Sequence, residues 1–435
     1  MVTMHDQTSD PRNNDLRDYN HENDLKYTLE ICQWLLKPLG LWGIVYHRVS
    51  SLERAVAIIL LFLCFFTLFF LIVPTIYNVC YVEKNMEAKV KLMGPIAFCL
   101  FSTVQYCYIC AKRSLLGKCF EHVENDWRTI GDQDHRAIML KQAAISRRLV
   151  IICIVFFYSG GMSYQTLMQF SSKPTQQSNV TLKPLTYPSF EFLDVQSSPT
   201  YEIVFFLQTV AAIILLNATI AAYSMTATFV THICGQIQIQ ILRLENLIGE
   251  RPGKNSFQER MTVIVHDHVE VLRFSKNVDK ALSEIFLIEI AASTFIMCML
   301  EYYCLMEWRN SDMIAVATYF MLLTSMTFNV LIYCYVGELL SEQCSQIGGT
   351  TYNIHWYNLP ARKAYNFILL EAISLYPPKL TAGRIIDLTI NTFGVVGDFV
   401  VKNVSNVQDS FLRFDYFQVL KTSVVYLNLL RTVTN

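Results

Sequence analysis

Residues 55–77 read AVAIILLFLCFFTLFFLIVPTIY, a stretch from Ala55 to Tyr77 of 23 positions with no charged side chain. At about 1.5 Å per residue, a helix of this length spans the roughly 30 Å hydrocarbon core of a bilayer. Similar apolar runs recur at 92–111, 149–168, 201–230, 284–306 and 313–337, and a weaker seventh lies near the C-terminus. A soluble domain has no use for so many apolar helices. The pattern predicts an all-α fold, a seven-transmembrane helical bundle whose first six helices and their loops occupy residues 54–337.

Composition agrees. Only 16% of the 435 residues are charged and 53% are hydrophobic, against about 25% charged in soluble domains. A net charge of −1 offers nothing that a nucleic acid needs. Most of the 13 cysteines sit in or beside apolar runs, as small hydrophobes. Cys107 and Cys110 form a close pair, but inside a membrane helix and with no second pair. No metal or redox centre is expected there. His266 and His268 are two apart on a predicted helix, which puts them on different faces and argues against a metal site. The chain has no Walker loop, HExxH, GxSxG or kinase signature, so neither an enzyme nor a cofactor is expected. Glu289 and Glu301 are charges within or at the edge of the fifth run, and intramembrane carboxylates are functional candidates. The alternative is that both sit at the membrane boundary.

Charge sorts between alternate loops. Segments up to Arg54, 112–148, 231–283 and 338–385 hold 25 Lys and Arg, whereas 78–91, 169–200 and 307–312 hold 6. The positive-inside rule then puts the N-terminus in the cytoplasm, and seven spans put the C-terminus outside. The sequon Asn179-Val180-Thr181 falls in a loop that this count places outside, so Asn179 is the expected glycosylation site. Asn217-Ala218-Thr219 lies within the fourth run and is expected to be inaccessible.

Residues 1–25 are polar, lack the apolar core of a signal peptide and read as disordered. The first membrane helix is therefore expected to serve as the targeting signal. Residues 26–53 carry Leu29, Ile31, Trp34, Leu35, Leu39 and Trp42, the pattern of an amphipathic helix at the cytoplasmic interface. The cytoplasmic loops 112–148 and 231–283 read as helices that pack as extensions of the bundle or face another subunit. The loop 169–200, with Pro174, Pro184, Pro188 and Pro199, reads as a coil lid over the outer mouth. No internal repeat of the transporter kind is visible.

The sharpest local pattern begins at Gly337. It runs through Glu338, Glu342, Gly348-Gly349, Tyr352, Trp356-Tyr357-Asn358-Leu359-Pro360, Leu380-Thr381-Ala382-Gly383, Phe417 to Ser423, Tyr426 and Leu430-Arg431. With Leu39-Gly40-Leu41-Trp42 near the N-terminus, this order resembles the insect odorant receptor family, hymenopteran-type, from about residue 26 to the end. The chain looks like a tuning subunit, because it lacks the longer second cytoplasmic loop of the coreceptor. The resemblance implies an odorant-binding subunit of a heteromeric, ligand-gated, non-selective cation channel. Four subunits would surround a pore lined by the last helix, the odorant receptor coreceptor would be the partner, and the site would be the plasma membrane of olfactory neuron dendrites, in contact with membrane lipid. Residues 338–385 would form a cytoplasmic anchor and 386–435 the pore helix. Carried over by position, the apolar gate falls on Leu429 and Val433, four apart on one helical face. Asn428, Thr432 and Ser423 are polar neighbours that would meet water in an open pore.

One departure stands out. Removing Gly394 to Tyr416 joins Phe393 to Phe417 and restores the family spacing. Residues 394–416 read as a retained intron of 23 codons, or else as a genuine looped insertion.

Odorants are small and apolar, and an aromatic and aliphatic cavity with few polar groups suits them. The family pocket lies in the outer half of the bundle. There the charge-derived orientation selects Met93, Ile96, Phe157, Tyr158, Gly161, Tyr164, Phe205, Gln208, Thr209, Ile213, Met297, Tyr302, Tyr319, Phe320 and Leu323. Gly160-Gly161, beside Tyr158 and Tyr164, is the preferred spot, because missing side chains make room between helices; the same pair also suits close helix contact. The alternatives are a gustatory-type receptor channel and a G-protein-coupled receptor. Inverted charge topology and the lack of Asp-Arg-Tyr and Asn-Pro-x-x-Tyr motifs speak against the latter.

Overall fold

The computed structural model describes residues 11–171, 185–190, 195, 197–249, 257–354 and 361–405, most of them helical. α1 (Pro11–Leu36) and the single turn α2 (Trp42–Val45) lead into α3 (Ser51–Tyr77). α4 (Met86–Ala111), α5 (Arg113–Thr129), α6 (Gln133–Ser171) and α7 (Thr200–Gly249) follow. After α8 (Phe257–Arg309) and α9 (Met313–Asn353) come α10 (Ala361–Ser374), strands β1 (Thr381–Ala382) and β2 (Ile386–Asp387), and α11 (Ile390–Ser405). Among the described residues, six helices, α3, α4 and α6 to α9, are long and apolar enough to cross a membrane. They are the six that the apolar runs predict. Ser423, Asn428, Leu429, Thr432, Val433 and Asn179 lie outside the described residues.

α3 shows how local sequence sets a span. Ser50 and Glu53 form a reciprocal capping box, each side chain bonded to the other's backbone N–H at 3.1 Å. Beyond it, Phe62, Phe66 and Phe69 are more than 60% exposed. An apolar face of that size needs hydrocarbon around it, so α3 is a lipid-facing helix.

Length explains the rest of the architecture. α7 has 50 residues, α8 has 53 and α9 has 41. At 1.5 Å per residue these are about 60–80 Å long, twice the hydrocarbon thickness. Successive spans run in opposite directions, so the surplus of α6 before 149, of α7 after 230, of α8 before 284 and of α9 after 337 all lies on one side. The loops read as helical are these extensions and α5. They pack together: Phe120 meets Phe229 edge-on at 4.9 Å, and Phe274 stacks on His122 at 4.1 Å. Burial is the main cause that holds the His122 imidazole below its usual range.

α7 is the axis. Every residue from Ala218 to Gly235 is buried, and α7 packs against α1, α3, α4, α6, α8 and α9. Ala, Thr, Ser and Gly dominate this stretch and let neighbouring backbones approach. Thr219, Thr226 and Thr231 donate to the carbonyls four residues back, so their buried hydroxyls are satisfied.

The N-terminal region departs from the sequence reading. Helix α1 begins at Pro11, inside the stretch read as disordered, and it packs on α6 and α7. Leu29, Leu35, Leu39 and Trp42 are buried in the protein core, while Trp34 remains 79% exposed. The anchors are distant in sequence and invisible locally: Asp24 pairs with Arg136 through two hydrogen bonds, and Glu30 accepts from Arg147 at 2.9 Å. Tyr46 closes the same layer, donating to Glu124 at 3.0 Å. Burial, and then the Glu124 carboxylate, push its phenol up to about 12.

A hairpin breaks the all-helical expectation. β1 and β2 pair antiparallel, Thr381 opposite Asp387, with Gly383 and Arg384 both at φ +60° in the turn. The motif Thr381-Ala382-Gly383 docks on α8: Asp279 accepts from Thr381 N at 2.7 Å, and Gly383 N donates to Ser283 O at 2.7 Å. Glu338 on α9 accepts from Ile390 N at 3.3 Å, a carboxylate at the start of α11. α11 then continues through Phe393 and Gly394, with Phe393 and Val400 both buried.

Gly40 has φ +69°, and a Cβ there would lie 2.2 Å from Ala57 O. Gly40→Ala is expected to destabilise the fold by about 1–3 kcal/mol from the backbone conformation alone. Thermal unfolding of detergent-solubilised protein checks this, with a lower melting temperature and a lower surface yield expected.

Candidate ligand cavity

On α6, the sequence Phe157-Tyr158-Ser159-Gly160-Gly161 meets two neighbours at once. A Cβ on Gly160 would lie 3.1 Å from Ser325 of α9, and one on Gly161 would lie 2.8 Å from Leu216 of α7. Both roles considered for this pair are therefore present. The glycines let three helices approach, and beside Gly161 the helices part to leave a cavity of about 70 Å³.

The cavity lies between α4, α6, α7, α8 and α9, at the end of the bundle opposite the helical extensions. Phe98, Phe157, Tyr164, Tyr187 and Tyr319 supply aromatic walls, and Leu215, Leu216, Ile296, Leu300, Leu322 and Met326 supply aliphatic ones. Gln165 and Ser325 are the polar side chains added to the tyrosines. Ser325 Oγ donates to Phe156 O at 2.9 Å. On α4 the wall includes Gly94 and Pro95. The Tyr303 hydroxyl accepts from Gly94 N at 3.0 Å and donates to Val90 O at 2.6 Å. It thus bridges two groups that a regular helix joins directly, and this insertion loosens α4 beside the cavity.

Tyr187 comes from the segment between α6 and α7 and is 5% exposed. Gln208 clamps its backbone: Nε2 donates to Tyr187 O at 2.8 Å, and Tyr187 N donates to Oε1 at 3.4 Å. Within the described part of this coil, Tyr187 is a lining residue of the cavity.

Of the positions selected from sequence, Phe157, Gly161, Tyr164 and Tyr319 line the wall. Gln208 acts through Tyr187, and Thr209 accepts from Gln165 Nε2 at 3.5 Å. Tyr158 turns aside and donates to Asn217 Oδ1 at 3.1 Å. Met297 and Leu323 are buried in the core away from the wall, and Ile96, Phe205 and Ile213 are half-buried outside it. Met93, Tyr302 and Phe320 are 37–46% exposed and face outward. Sequence supplied their depth in the membrane and not their direction around the helix axis. Phe98, Gln165, Ile296, Leu300 and Met326 were missed. Helical spacing reaches some of these, since Gln165 is four residues after Gly161 and Met326 seven after Tyr319. Nothing local announces Tyr187.

Glu289 is buried among the helices and accepts from Tyr223 and Ser293, each at 3.2 Å. Glu301 is likewise buried. Neither lines the cavity. His268 is buried and contacts Gln240 at 3.0 Å, whereas His266 is exposed, so the two lie on different faces as their spacing requires.

A bundle of helices long and apolar enough to cross a membrane, with an aromatic cavity between them, defines a multi-span membrane protein with a candidate small-molecule site. The chain belongs to the 7tm odorant receptor family, whose model matches residues 85–401. That is a family of receptors and not of enzymes. Odorant receptor 13a of Drosophila melanogaster is 21% identical over 266 residues, 58% of each chain. Odorant receptor 19a of the same organism is 24% identical over 132 residues, 30% of this chain and 34% of the relative. The chain thus spans less than two thirds of the curated relatives it matches. The insect olfactory receptor OR5 from Machilis hrabei superposes with TM-score 0.73 at 13% identity, covering 88% of this chain and 99% of that one. Its complex with eugenol also superposes at 0.73, over 93% of this chain.

Gln208→Leu removes both bonds that hold Tyr187. Hydrogen exchange at residues 185–190 is expected to accelerate roughly tenfold, the effect of about 1.4 kcal/mol of lost hydrogen bonding. Mass spectrometry of exchanged peptides measures it.

Proposed function

We propose that this protein is an odorant-detecting tuning subunit of a heteromeric, ligand-gated, non-selective cation channel. The observation that carries the reading is the aromatic cavity between five helices, lined also by Tyr187, in a chain of the odorant receptor family. A relative of the same fold has been solved with eugenol. A small volatile molecule entering between α4, α6, α7, α8 and α9 touches five helices. Rearranging them is how binding would reach the pore. The helical extensions supply a subunit interface for the coreceptor, and the lipid-facing surface of α3 suits the outside of an assembly.

In this proposal the N-terminus and the extensions are cytoplasmic, and the cavity and Asn179 are on the extracellular side. Loop charge supports that orientation, with 25 basic residues against 6. Leu429 and Val433 form the gate, with Ser423, Asn428 and Thr432 beside it, in the plasma membrane of olfactory neuron dendrites. Residues 394–416 are proposed to be absent from the functional transcript. The spacing of the C-terminal motifs is the argument for their removal.

Whole-cell recording tests the reading. Cells expressing this chain with the insect coreceptor are expected to give odorant-evoked cation current that neither subunit gives alone, and the form lacking Gly394–Tyr416 is expected to give the larger current. Asn179→Gln is expected to abolish a glycosidase-sensitive gel shift. Unaltered protein that shows no glycosidase-sensitive shift would overturn the assignment of that loop to the outside.

A further inference from the structure

Gln165 stands on the cavity wall, 2% exposed. The two ends of its amide are in different situations. Nε2 donates to Thr209 Oγ1 at 3.5 Å. Thr209 gives its own hydroxyl proton to Phe205 O at 2.9 Å, so its oxygen is left only to accept. That fixes the orientation of the amide, nitrogen toward Thr209 and carbonyl away from it. Among the described residues, Gln165 Oε1 has no hydrogen-bond partner, and it is closed off from the cavity until the wall yields to a ligand. Leaving such an acceptor unmatched costs about 1–3 kcal/mol. A ligand that brings a donor removes the penalty, and a ligand that brings none leaves it in place.

The surrounding surface narrows the donor's carrier. Ring faces and edges of Phe157, Tyr164 and Tyr319 call for an apolar body. Among the described residues no acid or base lines the cavity, so neither an ammonium nor a carboxylate finds a partner there. The volume of about 70 Å³ is well below the roughly 300–1,000 Å³ of drug-sized sites, which restricts the body to a short chain or a single ring. We propose that Gln165 Oε1 is the recognition point for a ligand hydroxyl, and that the cavity selects small alcohols and phenols over ethers and hydrocarbons of the same size. The inference rests on the odorant-detecting reading and names the chemical class that it detects. Gln165 is the specificity-determining residue, and Thr209 positions it.

The test uses matched trios, each an alcohol, its methyl ether and the parent hydrocarbon, from five-carbon chains to single aromatic rings. Two readouts are taken on the full chain: thermal stabilisation in detergent, and current with the coreceptor. Alcohols are expected to act at concentrations at least about tenfold lower than their ethers, the effect of one hydrogen bond of about 1.4 kcal/mol. Gln165→Met, which keeps the volume and removes the acceptor, should bring that ratio to about one. Gln165→Glu should keep the preference, and Thr209→Val should weaken it without touching the cavity wall. Ethers equal to alcohols on the unaltered chain, an unchanged ratio in Gln165→Met, or no stabilisation by any trio would overturn the proposal. Alcohol-selective stabilisation without any current would uphold this site and overturn the channel reading.

Discussion

The central packing of α7 is the constraint on which the remaining structure depends. Eighteen consecutive residues, Ala218 to Gly235, are buried on every side of the helix. In hydrocarbon there is little hydrophobic gain from bringing two helices together, so close packing and satisfied polar groups must hold them. Small side chains on α7 allow that approach, and threonines that bond back to their own helix remove the penalty of burying hydroxyls. Once α7 is enclosed, α4, α6, α8 and α9 have few places to go. The cavity forms where large side chains and the loosened turn at Gly94-Pro95 prevent the same closeness.

The two ends of the bundle follow different rules. At the end with the extensions, helices longer than the bilayer bring aromatic, ionic and hydrogen-bonded layers together: Trp42 with Tyr46 and Phe120, Glu124 with Arg48 and Arg128, and the Thr381-Ala382-Gly383 hairpin on α8. That end is a cross-linked block. At the other end the cavity contacts are mostly apolar, and polar ones such as Tyr303 on Gly94 are fewer. The coil carrying Tyr187 is held there by Gln208 and by Thr186 on Gln165. An assembly that must stay together while its ligand site adjusts is served by this division.

The particular residues show where sequence reading works. Spans are legible because a run without charges is a property of neighbours along the chain, and 1.5 Å per residue turns its length into a distance. The helical reading of 112–148 and 231–283 succeeded for the same local reason. The start of α1 did not, since its anchors Arg136 and Arg147 lie more than a hundred residues away. At the cavity, depth was readable, and it found Phe157, Gly161, Tyr164 and Tyr319. It also proposed Met93, Tyr302 and Phe320, which share that depth and point outward.

The sequence by itself determined that the chain is a helical membrane bundle and which six stretches are long and apolar enough to cross. The resemblance carried by its C-terminal motifs pointed to the odorant receptor family. Only the tertiary structure decided which faces of those helices turn inward, that Tyr187 lines the cavity, and that Gln165 on its wall has an amide oxygen without a partner among the described residues. Composition and periodicity are summed along one helix. The direction of a side chain in a bundle, and whether its polar atoms find partners, depend on several helices at once.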